Sequence, residues 1–188
     1  MINTREFSVA IYGACRFAAM DRGAIQYFDN TDEAFWKSFN AAIFALPGWV
    51  LLTLLFLIEN PVEASEFRIL SVELIAYVIG WVLFPLVMVS FTEVANCGNQ
   101  YFRFVAAWNW SAVLQVYFIL AVTAFAASGS VGDDGAGLML GLATLAVLLY
   151  QGFIACATLN VAAPVAALVV IIDLMLGFVI RIVERALY

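Results

Sequence analysis

The sequence has no histidine, only eight basic side chains and three widely separated cysteines. Without histidine, a histidine-ligated metal or haem and a Ser-His-Asp triad are excluded within this chain. Cys15, Cys97 and Cys156 form no CxxC pair, which favours a role as small apolar fillers. Walker A, HExxH and GxSxG motifs are also absent. We therefore expect no catalytic, cofactor-binding or metal-binding residue, and no enzymatic activity.

Charged side chains of both signs are scarce, and basic ones are the scarcer. The net charge of −6 leaves no basic patch for nucleic acid. Only 12% of residues are charged and 65% are hydrophobic, whereas soluble domains are about 25% charged and about 45–50% apolar. A soluble chain of this size leaves roughly a third of its unfolded surface exposed. The excess of apolar surface predicts an integral membrane protein of one domain.

Five apolar segments are long enough to cross a bilayer, since about 20 helical residues span a hydrocarbon layer of about 30 Å. The predicted spans are 41–58, 69–91, 104–127, 136–158 and 161–180. The last two come from dividing one run without basic residues at Asn160 and Pro164. As a single helix, that run would extend about 68 Å. The predicted fold is an all-α, polytopic transmembrane bundle of five spans, or four if the division fails.

The N-terminal region differs from the bundle in composition, so we divide the chain into residues 1–38 and 39–188. Apolar side chains spaced by four, four and three residues form one helical face: Phe7, Ile11, Cys15 and Ala18. This pattern predicts an amphipathic helix over 4–21 that lies in the membrane interface. Packing of the same helix against the bundle is an equal alternative. Asn30 with Glu33 predicts the N-cap of the following helix.

Basic residues set the predicted orientation. Four of the eight lie in the N-terminal region, which places the N-terminus in the cytoplasm. With five spans the C-terminus then lies outside, although Arg181 and Arg185 near the C-terminus oppose this placement. The expected location is the bacterial cytoplasmic (inner) membrane.

Two acidic residues lie inside predicted spans, and ionisable groups at such positions are functional candidates because an unpaired charge in lipid is costly. One hypothesis is that Glu73 and Asp173 face a shared cavity and bind a proton or cation. Two close carboxylates cannot both remain ionised cheaply, so one would hold the proton. In the alternative, Glu73 reaches the interface near Arg68, and Asp173 is neutral or hydrogen-bonded to another helix.

Other intramembrane residues are predicted to hold helices together. Three amides are expected to form interhelical hydrogen bonds: Asn109, Gln115 and Gln151. Gly137 and Gly141 have GxxxG spacing, and Ala162 and Ala166 repeat it in the last span. Because small residues allow close approach, we expect spans four and five to be the most closely packed pair. The GxxxG pair could instead mediate a dimer.

The run Gly80-Trp81-Val82-Leu83-Phe84-Pro85 resembles a glycine-aromatic-x-x-x-proline pattern of Yip-type membrane proteins, which have bacterial members. Trp81 stands where that family usually has tyrosine, and Val82 stands at its serine position. The acidic N-terminal region, five close spans and far-side C-terminus are similar as well. The resemblance implies a membrane-organising or trafficking role without catalysis, and it transfers no functional residue.

Two functions follow from these observations. The first is a non-enzymatic membrane protein that acts by packing with itself or with a membrane partner. The alternative is a small proton- or cation-coupled transporter or channel subunit that uses Asp173 and Glu73. Both functions imply that the protein's partners are the lipid bilayer and either further copies of itself or another membrane protein. Neither function implies a cofactor or nucleic acid. A lipid-facing Asp173, or one bonded only to backbone, would remove the motive for transport.

Overall fold

The computed structural model describes residues 3–188, which form helices and no strand. The helices are α1 (Thr4–Ala18), α2 (Asp32–Ser38), α3 (Ala41–Glu59), α4 (Glu66–Val94), α5 (Tyr101–Ala127), α6 (Asp133–Leu159) and α7 (Ala163–Leu187). Two 3₁₀ turns, Arg22–Tyr27 and Gly98–Gln100, precede α2 and α5. In this part of the chain five helices, α3 to α7, are long and apolar enough to cross a membrane. The all-α prediction with five such helices is confirmed, and it is compatible with an integral membrane protein.

The fifth long helix depends on a tight turn after α6. Asn160 has φ 54° and ψ 45°, the left-handed conformation that asparagine adopts more readily than most residues. Pro164 lies in the first turn of α7, where its missing N–H would have no helical partner in any case. The break therefore falls at the two residues that predict it.

Helix α5 is the central helix. In its first half, residues 104–111 are all buried. Helices α1, α2, α3, α4 and α6 all contact α5. The prediction that the last two spans are the most closely packed pair is wrong, because α6 contacts α5 more extensively than α7. A Cβ atom at Gly137 or Gly141 would meet nothing within 4 Å. Of the two alanines, Ala162 is exposed and precedes α7, and Ala166 is buried.

The N-terminal region packs on one end of the bundle. Helix α1 begins with a capping box between Asn3 and Glu6. Its buried face contains small residues and Phe17, and it contacts α5 and α6. The hydroxyl of Tyr150 on α6 donates to the backbone oxygen of Ala14, 2.8 Å away. The region is thus joined to the bundle by both apolar and polar contacts.

The cap of α2 differs from the prediction. Thr31, not Asn30, is the N-cap, and its Oγ1 accepts from the Ala34 N–H. Asn30 instead bonds the segment that begins α5: its Oδ1 accepts from Arg103 N (3.1 Å), and its Nδ2 donates to Asn99 O (2.7 Å). The Asn30 side chain, which the local sequence predicts as a helix cap, therefore makes long-range hydrogen bonds instead.

Tyrosines bind backbone oxygens near the proline in α3. Pro47 has no N–H, so helical hydrogen bonding is interrupted there. Tyr77 donates to Ala42 O (2.6 Å) and Tyr117 donates to Phe44 O (3.0 Å). These two oxygens flank Ile43 O, the carbonyl that loses its helical donor at Pro47, so the tyrosine bonds lie beside the interruption and do not replace the missing bond. These bonds tie α3 to α4 and α5 around the site described below.

Candidate functional site

Three polar side chains from three helices converge inside the apolar bundle. Gln151 on α6 donates from Nε2 to Asp173 Oδ2 on α7 (3.0 Å) and to Gln115 Oε1 on α5 (3.3 Å). Asp173 lies about 15 Å along α7 from its start, near the middle of a hydrocarbon layer about 30 Å thick. Polar groups at such depth need partners, because leaving them unbonded costs several kcal/mol. Here they bond one another rather than backbone groups.

This polar cluster borders a cavity of about 340 Å³ that is lined by residues of α3 to α7. On α7 the lining extends from Asp173 to Arg181 and Glu184, about 16 Å along the helix axis. The cavity therefore leads from the polar cluster toward the C-terminal end of the bundle.

Aromatic rings form one wall of the cavity. Trp49 on α3 lies against Tyr77 on α4, with ring centroids 4.6 Å apart, and Tyr77 meets Trp81 edge-on at 6.1 Å. Phe84 stacks on Trp108 of α5 at 4.6 Å. All five side chains line the cavity that contains Asp173. The cavity thus brings the carboxylate of Asp173 and the amides of Gln115 and Gln151 together with aromatic side chains.

A second cavity, of about 480 Å³, lies between α4 and α7 and also borders Asp173. Gly80 on α4 and Gly177 on α7 line both cavities. Both glycines are exposed, and a Cβ atom at either one would meet nothing within 4 Å. The wall between α4 and α7 is therefore open to the side at these glycines.

Glu73 does not join the polar cluster. It is buried, and its Oε1 accepts from the hydroxyl of Tyr188, whereas its Oε2 has no hydrogen-bond partner among residues 3–188. Nearby on α7, buried Glu184 pairs with Arg181 at 3.3 Å. Since Glu73 lies at the level of the last turn of α7, the structure separates it from Asp173. Its partner is a tyrosine of the C-terminus, not Arg68.

A buried hydrogen bond lies at the other end of the cavity. Asn109 on α5 donates from Nδ2 to Ser38 Oγ on α2, 2.9 Å away, and Ser38 Oγ donates in turn to Phe35 O. Asn109 also lines the cavity, and both it and Ser38 are almost fully buried. The N-terminal region therefore contributes Ser38 to a buried contact beside the cavity.

Several residues of the site are missed by sequence reasoning. They include three rings of the aromatic wall and the ion pair at the end of α7: Trp49, Tyr77, Trp81, Arg181 and Glu184. A signal was available in their spacing. Asp173, Gly177, Arg181 and Glu184 follow one another at four, four and three residues, the period of one helical face.

No protein-family model, curated protein or solved structure matches this chain. Among residues 3–188, no three acidic or cysteine side chains converge as a metal site would need. A lone carboxylate with amide neighbours in a cavity suits the binding of a proton or a monovalent cation.

Proposed function

We propose that this integral membrane protein binds a proton or cation at Asp173 and moves it across the membrane, as a small transporter or channel subunit. The observation that carries the proposal is the polar cluster of Asp173, Gln151 and Gln115 on a cavity inside five apolar helices. In surroundings of low dielectric constant, a carboxylate requires either a proton or a countercharge. Gln151 donates a hydrogen bond that orients the Asp173 carboxylate. Its side chain is neutral, so it does not supply the countercharge, which in this proposal comes from the bound proton or cation.

Access from one side supports transport by alternating exposure. The cavity leads from Asp173 toward Glu184, whereas the buried Asn109–Ser38 bond lies at the opposite end, which this proposal takes as the closed one. A carrier needs a second conformation in which the closed end opens. In this proposal the Asn109–Ser38 contact breaks when the bound ion is released toward the N-terminal side.

The test is ion flux into liposomes that contain the purified full-length chain. Asp173→Asn keeps the size of the side chain and removes its charge, so we expect flux to fall to the rate of protein-free liposomes. Asp134→Asn makes the same chemical change at an exposed position in the first turn of α6 and serves as the matched control. Equal flux in the wild type and Asp173→Asn would contradict the proposal.

The same proposal places the protein in a bacterial cytoplasmic membrane with its N-terminus in the cytoplasm, and it includes no enzymatic activity. Helix α1 is proposed to lie at the interface while its buried face packs on α5. The basic residues of the N-terminal region support this orientation. A reporter fused after Tyr188 should respond as an external group, and a cytoplasmic response would reverse the orientation.

A second candidate function is packing with another copy or with a membrane partner. Gly137 and Gly141 face no other part of residues 3–188 and are exposed on α6. Small residues at this spacing favour close helix association in lipid. Gly141→Leu should then abolish a dimer seen by cross-linking in membranes, and Gly177→Leu should not. Membership of the Yip-type family stays a prediction.

A further inference from the structure

The aromatic wall indicates which cation the site accepts. The side chains of Trp49, Tyr77 and Trp81 line the cavity that contains Asp173 and contact one another. A small inorganic ion needs several oxygen ligands. Where Asp173 borders this cavity, its carboxylate has only the amides of Gln115 and Gln151 beside it, and the second carboxylate of the lining, Glu184, is paired with Arg181. Ring faces instead attract cations whose charge is spread over methyl groups, because such cations shed their hydration easily. The lining therefore suits a quaternary ammonium better than a metal ion.

The lateral opening indicates how such a ligand enters. Gly80 and Gly177 leave a gap between α4 and α7, and Asp173 borders the cavities on both sides of it. The outer cavity is lined mainly by apolar side chains, including Leu83, Leu174 and Phe178. An apolar tail can remain there, in contact with lipid, while a charged head reaches the carboxylate.

Charge at the C-terminal end of the bundle agrees with a cationic ligand. Acidic residues lie at the helix ends and loops of that end: Glu59, Glu63, Glu66, Asp133 and Asp134. Arg68 and Arg185 are the basic residues there besides Arg181, which pairs with Glu184. An excess of one sign raises the local concentration of oppositely charged ligands.

We propose that the cavity binds an amphiphilic quaternary ammonium, with its head between Asp173 and the Trp49–Tyr77–Trp81 wall and its apolar tail in the α4–α7 gap. This inference rests on the cation-binding role proposed for Asp173. The same chemistry could come from a free alkylammonium or from a choline lipid headgroup.

The probe is hexyltrimethylammonium, titrated into the full-length protein in dodecyl maltoside, which is uncharged. Binding is followed by calorimetry and by tryptophan fluorescence. We expect saturable binding that Trp81→Leu weakens about tenfold and that Trp81→Phe largely restores. Trp36→Leu is the matched control, because Trp36 is 68% exposed and lies outside the cavity. Hexane-1-sulfonate, with the same tail and opposite charge, should not bind.

Further variants separate fold from recognition. If Trp81→Leu does not fold, Trp49→Leu tests the same wall and should again weaken binding about tenfold. Gly177→Leu adds a side chain at the gap, where a Cβ atom meets nothing within 4 Å, and should also weaken binding. Competition by dihexanoylphosphatidylcholine assigns the ligand to a lipid headgroup, and its failure assigns it to a free cation.

The outcomes distinguish this inference from the proposed function. Ion flux that depends on Asp173, together with no saturable binding of hexyltrimethylammonium, would overturn the inference and leave the transport proposal standing. Binding that depends on Trp81 and Asp173, without any ion flux, would support the ligand and overturn transport. Equal binding of the ammonium and the sulfonate, or full binding by both tryptophan variants, overturns the inference directly.

Discussion

Substitution of Gly48 by alanine should destabilise the protein, although alanine is the better helix former. Gly48 is buried on α3 beside Pro47. A Cβ atom there would lie 2.8 Å from Val116 Cγ1 and 3.1 Å from Tyr117 Cε1 on α5. Contacts this short force side chains or helices to shift, at a typical cost of about 1–3 kcal/mol. The Val116 side chain cannot easily rotate away from the new Cβ atom, because β-branched side chains have few allowed rotamers.

The opposing effect is helix propensity, which favours alanine over glycine by about 1 kcal/mol. Gly48→Ala should therefore lower the free energy of unfolding by up to about 2 kcal/mol. Gly80→Ala is the matched control on α4. Its Cβ atom meets nothing within 4 Å, so only the propensity gain of about 1 kcal/mol applies. The two variants should differ by about 1–3 kcal/mol.

Unfolding in mixed dodecyl maltoside and dodecyl sulfate micelles, followed by circular dichroism, measures these differences. The double variant Gly48→Ala with Val116→Ala removes the methyl group that the new Cβ meets. It should recover part of the loss, which appears as a coupling energy in the double-mutant cycle. If Gly48→Ala is as stable as Gly80→Ala, α3 and α5 are not packed as closely as described, and the placement of Trp49 in the cavity wall fails with it.

The remaining predictions concern a turn and a pH dependence. Asn160→Gly should be nearly neutral, and Asn160→Val should cost about 1–2 kcal/mol in the same unfolding assay, because φ is 54° there. The backbone N–H of Gly23 and then the guanidinium of Arg16 hold the pKa of Asp21 below its ordinary value of 3.8. The unfolded chain therefore takes up the proton first, so stability should fall as the pH drops below about 4, through the lowered pKa. The decline should be smaller in Asp21→Asn, and equal curves would contradict this reasoning.

Composition and length were sufficient to predict five long helices, because both depend only on hydropathy and helix rise. The Asn160–Pro164 break was also predictable, because each of these residues has a local conformational preference that needs no partner. The Asn30 cap failed because its side chain bonds Arg103, far away in sequence. Local patterns decide an element only where no distant group competes for the same atoms.

Which polar residues meet was harder to predict, because it depends on how each helix is rotated about its axis. Glu73 and Asp173 were comparable by depth and charge. Yet α4 directs Glu73 to Tyr188, and α7 directs Asp173 to Gln151. Hydropathy does not resolve this rotation for α4, because all sides of that helix are apolar. The spacing of Asp173, Gly177 and Glu184 on one face of α7 was the pattern that could have located the cavity.

The packing of α5 links the N-terminal region to the cavity. One face of α5 carries Asn109, which bonds Ser38 of α2, and further along the same helix Gln115 bonds Gln151. While the Asn109–Ser38 bond is intact, a movement of α2 that carries α5 with it also displaces Gln115, because both residues lie on one helix. In the proposed transport mechanism, α5 therefore couples the N-terminal region to the Asp173 cluster.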